Sequence, residues 1–489
     1  MLWAAVASAA VYGGNFICSM LIGRELGPAA TGQIAYITWL TATIGLLVSL
    51  GLNEALTRYT AELTASADDI QGISALVVRR LALLTIPGAG LTFALLPATY
   101  HENRNLVALS IALYLAQRQA LLARSHLTGL QHFRRLSNWT VAGSLVQILV
   151  LAAACRRFGV PAALFTYLIA NVLIALPATR TLAHLLVAKV SHSRTLQRRL
   201  NKYALTAWAS AVISAFVWQR MEVFFLNLYC TTREVGLFAA AASVAAVVSQ
   251  GPVMLTGALV PHFAEAFGKQ QPAQIHSVYV SATKLLAFLL FPTCLLAAVL
   301  SRALVVTCYG WRFADAALPM SALVVAASFG GVSSASSALM HGMDRPGFIA
   351  VGGTVGAGLT IVTGLTAIPA WGVTGAAISK MIIQLAMVTL GIWYTTVHLG
   401  MRFPFRHTLS ILMAAITSAA VVALFAQKAT STAQALALFV FGYILFLFLA
   451  KRLRLWTPSE RCALSRLLDS RLPQYRFAVY SFSLIERVL

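Results

Sequence analysis

Long apolar runs, broken by short polar connections, recur along the whole chain. At about 1.5 Å rise per residue, roughly 20 apolar residues cross the hydrocarbon of a bilayer. That criterion predicts about fourteen helical spans, near 2–22, 32–56, 76–99, 106–125, 139–155, 162–187, 203–228, 236–259, 278–300, 318–341, 348–368, 374–397, 408–425 and 433–450. The seventh is the unusual one. Within 203–229 it holds Arg220 and Glu222, and it carries Thr206, Ser210 and Ser214 at four-residue spacing. An ionisable side chain at that depth costs at least about 2.5 kcal/mol unless it is paired or wetted. Read as one continuous helix, the stretch points its two charges about 200° apart, so neither can serve the other along its own surface. The polar stripe lies between them and marks a packed span bordering a watery space.

Composition sharpens this to a polytopic membrane protein. The 489 residues are 59% hydrophobic and 10% charged, with a mean hydropathy of +0.80. The formal charge of +22 would suggest nucleic acid in a soluble chain, but here topology accounts for it. With the N-terminus inside, 23 Lys and Arg fall in cytoplasmic segments and 8 outside. The other five, Arg118, Arg180, Arg220, Lys284 and Lys380, lie within spans. Both termini are therefore expected in the cytoplasm. The six cysteines are scattered without metal-ligand spacing and read as apolar fillers. The first span, which starts without a basic leader region, reads as a retained helix.

The chain also repeats itself. Ala55-Leu56 and Ala61-Glu62 recur as Ala258-Leu259 and Ala264-Glu265 at an offset of 203, and Pro87 matches Pro292 at 205. Gly129 matches Gly342, and GVPAAL from Gly159 matches GVTGAA from Gly372, both at 213. The extra length falls around 302–319, a longer outside loop. This predicts two six-helix lobes, 1–188 and 203–400, joined by a basic cytoplasmic linker at 189–202. Two additional spans (401–450) and a basic tail (451–489) follow. Thr457, Pro458 and Glu460 supply helix-start signals for an amphipathic tail helix on the inner surface.

Candidate chemistry narrows the function. No GxxxxGK[ST] nucleotide loop, HExxH or GxSxG is present, so neither an ATP-driven pump nor an enzyme is expected. GAGLTF (88–93) and GAGLTI (356–361) read as packing glycines. Glu54, Arg58 and Glu62 read as a structural ladder, Arg180 and Lys284 as snorkelling cations, and Trp139, Trp208, Trp311 and Trp371 as interfacial anchors. Arg118, between Gln117 and Gln119 and far from the outer end of its span, is expected in a cavity.

A resemblance rests on these residues. Gly23-Arg24-Glu25-Leu26-Gly27-Pro28 with Gly32 and SLGLNEALTRYTAE (49–62) resembles the opening of Wzx-type polysaccharide flippases, within the multidrug/oligosaccharidyl-lipid/polysaccharide exporter superfamily. QRMEVFFLNLYCTTREVGLFAAAASVA (219–245) resembles the seventh-span stretch of that family, although Glu222 stands where Asp is commoner. Residues 338–380 resemble its pattern ending in Pro-aromatic-Gly-x-x-Gly-Ala-Ala. The resemblance implies two lobes in a V and export of an undecaprenyl-pyrophosphate-linked oligosaccharide by alternating access in a bacterial inner membrane. Arg24, Arg118 and Arg220 would be the cations that hold pyrophosphate, and Glu222 would couple or gate; for Arg24, simple exposure at the end of its span is an equal reading. The expected partners are the lipid-linked oligosaccharide, membrane lipids, and a glycan polymerase with glycosyltransferases. A monomer is expected, with no cofactor, metal or nucleic acid. Two alternatives stay open: a cation-coupled small-molecule exporter and a non-transporting scaffold for glycan assembly.

Overall fold

The computed structural model describes residues 2–62, 67–97, 100, 103–187, 194–254, 256, 259–343, 346–426 and 431–453. Within them the chain is helical: α1 (Leu2–Ser49), α2 (Leu52–Glu62), α3 (Ala67–Leu95), α4 (Arg104–Gly129), α5 (Phe133–Val187), α6 (Arg194–Trp218), α7 (Glu222–Tyr229), α8 (Thr232–Met254), α9 (Leu259–Gly268), α10 (Pro272–Val299), α11 (Ser301–Tyr309), α12 (Ala317–Gly342), α13 (Pro346–Val397), α14 (Phe405–Ala426) and α15 (Thr432–Arg452). The expected tail helix lies outside the described residues, as does most of the expected linker. Arg194 to Lys202, read as linker from the sequence, are helical and continuous with the seventh span.

Three helices are too long for one crossing. At about 1.5 Å per residue, the 48, 55 and 52 residues of α1, α5 and α13 run more than twice the ~30 Å hydrocarbon thickness. Each is kinked into two helical segments at a glycine in the left-handed region: Gly27 (φ 83°), Gly159 (φ 64°) and Gly372 (φ 53°). A side chain would strain that conformation, and at Gly27 the next residue, Pro28, is preset to start the following helix. Ten helices among the described residues are long and apolar enough to cross a membrane. Three of these are long enough for two crossings each, and α6 with α7 forms a further, bent candidate span.

The duplication read from the sequence is realised in the packing. A Cβ at Gly129 would press on Thr60 and the Thr57 carbonyl, and one at Gly342 would press on Phe263 and the Val260 carbonyl. Val260 and Phe263 follow Thr57 and Thr60 by the same offset of 203. Gly159 and Gly372, the other matched pair, make equivalent turns. The repeated GAGLT fragments behave less uniformly. Gly88 admits the Tyr114 ring, whereas Gly90 and Gly358 have no neighbour where a side chain would stand.

By packing, the chain forms two compact units, 1–239 and 240–489. The first holds a core at the ends of α2 to α6, including Leu56, Tyr59, Val77, Leu127, Leu182 and Leu200. Helix α6 joins it because Tyr203 meets Tyr59 edge-on at 6.0 Å, Arg58 lies 4.4 Å from the Tyr203 ring centroid, and Arg199 pairs with Glu62 at 2.9 Å. Arg58 also reaches Glu62 at 3.8 Å, so the expected ladder keeps its second rung and Glu54 turns elsewhere. In the second unit, Phe288 meets Phe446 at 5.1 Å and Phe291 meets Phe329 at 5.5 Å. Helices α14 and α15 pack on the end of α10 through Leu296, Leu300, Ala419 and Val422. Lys284 is 5% exposed, so it lies buried instead of snorkelling to the interface.

Candidate functional site: charges at broken spans

The second span is not one helix. Helix α1 ends at Ser49, Leu50 (φ 47°) and Gly51 (φ 71°) both enter the left-handed region, and α2 restarts at Leu52. Gly51 is required twice over, by its φ and by space, since any Cβ there would overlap the Ala204 carbonyl oxygen of α6. Leu50 has no such freedom, and its backbone stores about 1 kcal/mol or more. A helix end inside an apolar bundle leaves carbonyls without helical donors and carries partial negative charge. Here the indole N–H of Trp208 donates to the Leu47 carbonyl at 3.0 Å, and Ser49 Oγ donates to Leu46 at 2.8 Å. Trp208 therefore pins α6 to the break and is not simply an interfacial anchor.

Arg118 serves the same helix end from α4. It is 5% exposed, and its Nη1 donates to the Gly45 carbonyl at 2.8 Å. Glu54 and Tyr114 lie close enough to interact with the guanidinium electrostatically, while its Nε makes no hydrogen bond. Glu54 occupies the first turn of α2, where an acid suits the positive end of the helix dipole. The break thus has a cation on its carbonyl side and an anion on its amide side. This conformation packs Arg118 into the first unit and does not leave it on an open surface. Sequence reading missed Glu54 as its companion because i, i+4 spacing favoured Arg58. No sequence signal could have named the Gly45 carbonyl.

The seventh span is broken as well. Helix α6 ends at Trp218, Gln219 to Met221 leave the helix, and α7 departs at 57°. Arg220 is half-buried in the break, and Glu222, 1% exposed, lies in the first turn of α7. The 200° separation expected for a continuous helix does not apply. Glu222 sits where a helix N-terminus stabilises an acid, typically by 0.3–1 kcal/mol. On α6, Thr206 and Ser210 are exposed and Ser214 is half-buried, so the polar stripe faces away from the first unit's core.

The family-like motifs converge on this region. Gly32 of the second span and Gly236 of α8 face each other so closely that a methyl on Gly236 would overlap the Pro28 carbonyl oxygen, and one on Gly32 the Thr232 carbonyl oxygen. Trp39 meets Phe224 of α7 at 6.0 Å. Arg24 is exposed just before the Gly27 turn, beside the Glu25–Arg156 pair at 3.9 Å. The candidate residues thus occupy three points of the first unit: Arg24 at the first turn, Arg118 at the break in span two, and Arg220 with Glu222 at the break in span seven.

Ten membrane-length helices among the described residues, with charged side chains set at interruptions of the spans, make a multi-pass helical fold of the kind that can build a site on discontinuous helices. The chain belongs to the family described as polysaccharide biosynthesis protein, whose family model matches residues 1–267; this is the family of Wzx-type flippases. Its fold is that of a solved lipid II flippase MurJ in an inward closed conformation, with a TM-score of 0.75 at 12% identity over 93% of this chain and 98% of that one. An inward-facing multidrug resistance transporter of the MATE family, in the MOP superfamily, superposes with a TM-score of 0.64 at 15% identity over 79% and 94%. An outward-facing structure of that kind gives 0.51 at 17% identity over 81% and 93%. No curated protein matches in sequence.

Proposed function

We propose that this protein moves an undecaprenyl-pyrophosphate-linked oligosaccharide across the bacterial cytoplasmic membrane by alternating access, supplying cell-surface polysaccharide biosynthesis. Both termini lie in the cytoplasm in this reading, which rests on the asymmetry of 23 inside cations against 8 outside. Arg118 carries the proposal. A guanidinium 5% exposed inside an apolar bundle, holding a backbone carbonyl through Nη1 while its Nε makes no hydrogen bond, keeps donor capacity for an anion. Phosphate oxygens suit it, because a planar guanidinium binds them bidentately and a low-dielectric surrounding strengthens the contact. Arg24 and Arg220 supply further cations on the same unit, and Glu222 gates or couples the cycle.

Reconstituted vesicles test this directly. The wild-type protein is expected to carry a polyprenyl-pyrophosphate oligosaccharide to the opposite leaflet. Arg118→Ala should lose roughly 1.5–3 kcal/mol of phosphate interaction, a 10- to 150-fold drop in transport, while inserting normally. Arg118→Lys should recover only part, since lysine lacks the planar fork. Unchanged transport by Arg118→Ala at equal reconstitution would overturn the proposal.

A further inference from the structure

The connection between α10 and α12 contains the length that the second half of the repeat has and the first lacks. It is an ordered element: α11, then Gly310 (φ 87°), then a 3-10 turn over Trp311–Ala316 leading into α12. Its underside is fastened inward, for Tyr309 and Phe313 are 1% and 0% exposed with rings 5.2 Å apart, and Val305 is buried. The opposite side is exposed and chemically mixed. Trp311 and Leu318 are 68% and 64% exposed, Arg302 and Arg312 are exposed, and the Arg302 guanidinium lies 5.3 Å from the Trp311 ring centroid. Asp315 is the single acid between Ser301 and Leu318, so the element carries a surplus of cation.

Its depth follows from its neighbours. The Thr307 and Thr432 hydroxyls meet at 3.1 Å, which ties α11 to the first residue of α15. That helix then runs to Lys451 and Arg452 at its far end, so α11 lies at the bundle end where α15 begins. An amphipathic turn at the end of a span, with a tryptophan between two arginines, has the composition of the headgroup layer. Arginine keeps its charge there while its stem covers apolar surface.

We infer that α11 and the turn after it form a lipid-headgroup platform. Trp311 and Leu318 enter the boundary between acyl chains and headgroups, and Arg302 and Arg312 hold phosphates of the surrounding anionic phospholipid. The platform is separate from the pyrophosphate reading of Arg118 and stands if that reading fails.

The test uses the full chain in nanodiscs of phosphatidylethanolamine and phosphatidylglycerol. Native mass spectrometry of the wild type and of Arg302→Gln/Arg312→Gln counts retained phosphatidylglycerol. Losing two surface cations should weaken retention roughly 30-fold while the melting curve stays unchanged. A nitroxide on Trp311→Cys, with the native cysteines replaced, should be relaxed by oxygen more than by aqueous nickel chelate, as at the headgroup boundary. Equal lipid retention by the double variant overturns the inference. So does a label as open to nickel as a soluble loop, or one shielded from both relaxants, which would indicate a second copy or another protein on this face.

Discussion

The two compact units share matched motifs, yet their interiors are furnished differently. Among the described residues, the first unit buries side-chain atoms without hydrogen-bond partners on Asn53, Thr60, Ser74, Gln117, His126 and Ser137, beside the Arg118 guanidinium. In the second unit the buried hydroxyls are largely paired. Tyr279 bonds Ser336 at 3.1 Å and Thr395 at 3.3 Å, Thr363 bonds Ser379, and Ser418 donates to the Gly442 carbonyl at 2.5 Å. Gly129 and Gly342, and Gly159 and Gly372, do matching work in the two halves, because close approach and a left-handed backbone are needed in both. Polar chemistry does not match. A buried polar group without a protein partner costs about 1–3 kcal/mol unless water or a ligand reaches it, so these side chains mark where the first unit has polar capacity to spare. The first unit is also where spans two and seven are interrupted and where the candidate cations lie.

That contrast can be broken experimentally, and Glu222 offers the largest effect. Glu222→Gln removes the charge that opens α7 and should cost only about 1 kcal/mol of helix-end stabilisation, leaving a folded protein that has stopped transporting. The measurements are melting temperature and vesicle transport, for the single variant and for pairs with Arg24 or Arg118 neutralised. A single variant destabilised by about 3–5 kcal/mol and restored by either pair would make Glu222 a structural counter-ion and take the gating role away from the first unit. Next in size is Tyr279→Phe in the second unit, which removes the partner of Ser336 while Thr395 keeps the Gly391 carbonyl, and should lower stability by about 1 kcal/mol, read as a lower melting temperature with transport retained. Smallest, and opposite in sign, is Thr60→Val in the first unit. The Thr60 hydroxyl is buried without a partner, so an isosteric apolar side chain should leave the melting temperature unchanged or raise it by up to about 1 kcal/mol equivalent. If Thr60→Val were as damaging as Tyr279→Phe, the difference between the two interiors would vanish.

Much of the candidate site was legible as residues but not as geometry. Arg118, Arg220 and Glu222 stood out because charge within an apolar run is conspicuous on the hydropathy scale alone. Their settings were not visible. Regular helical periodicity made 203–229 look continuous, although α6 ends at Trp218, and it made 32–56 look continuous across Leu50 and Gly51. The Leu-Gly pair is too common to announce a break. What demands it is the Ala204 carbonyl lying against Gly51 from a helix more than 150 residues later.

The sequence by itself determined the succession of membrane-length helices, the matched motifs of the two halves, and the presence of Gly27, Gly159 and Gly372 between apolar runs. Hydrocarbon thickness, helix rise and the tolerance of glycine for positive φ all act within a few residues of chain, so they leave local marks. Tertiary structure alone decided that Arg118 caps the end of α1 with Glu54 beside it, that Trp208 holds the same helix end, and that α6 packs with the first unit. Those outcomes depend on backbone carbonyls, which are identical at every residue and carry no signal until folding brings a donor to one of them.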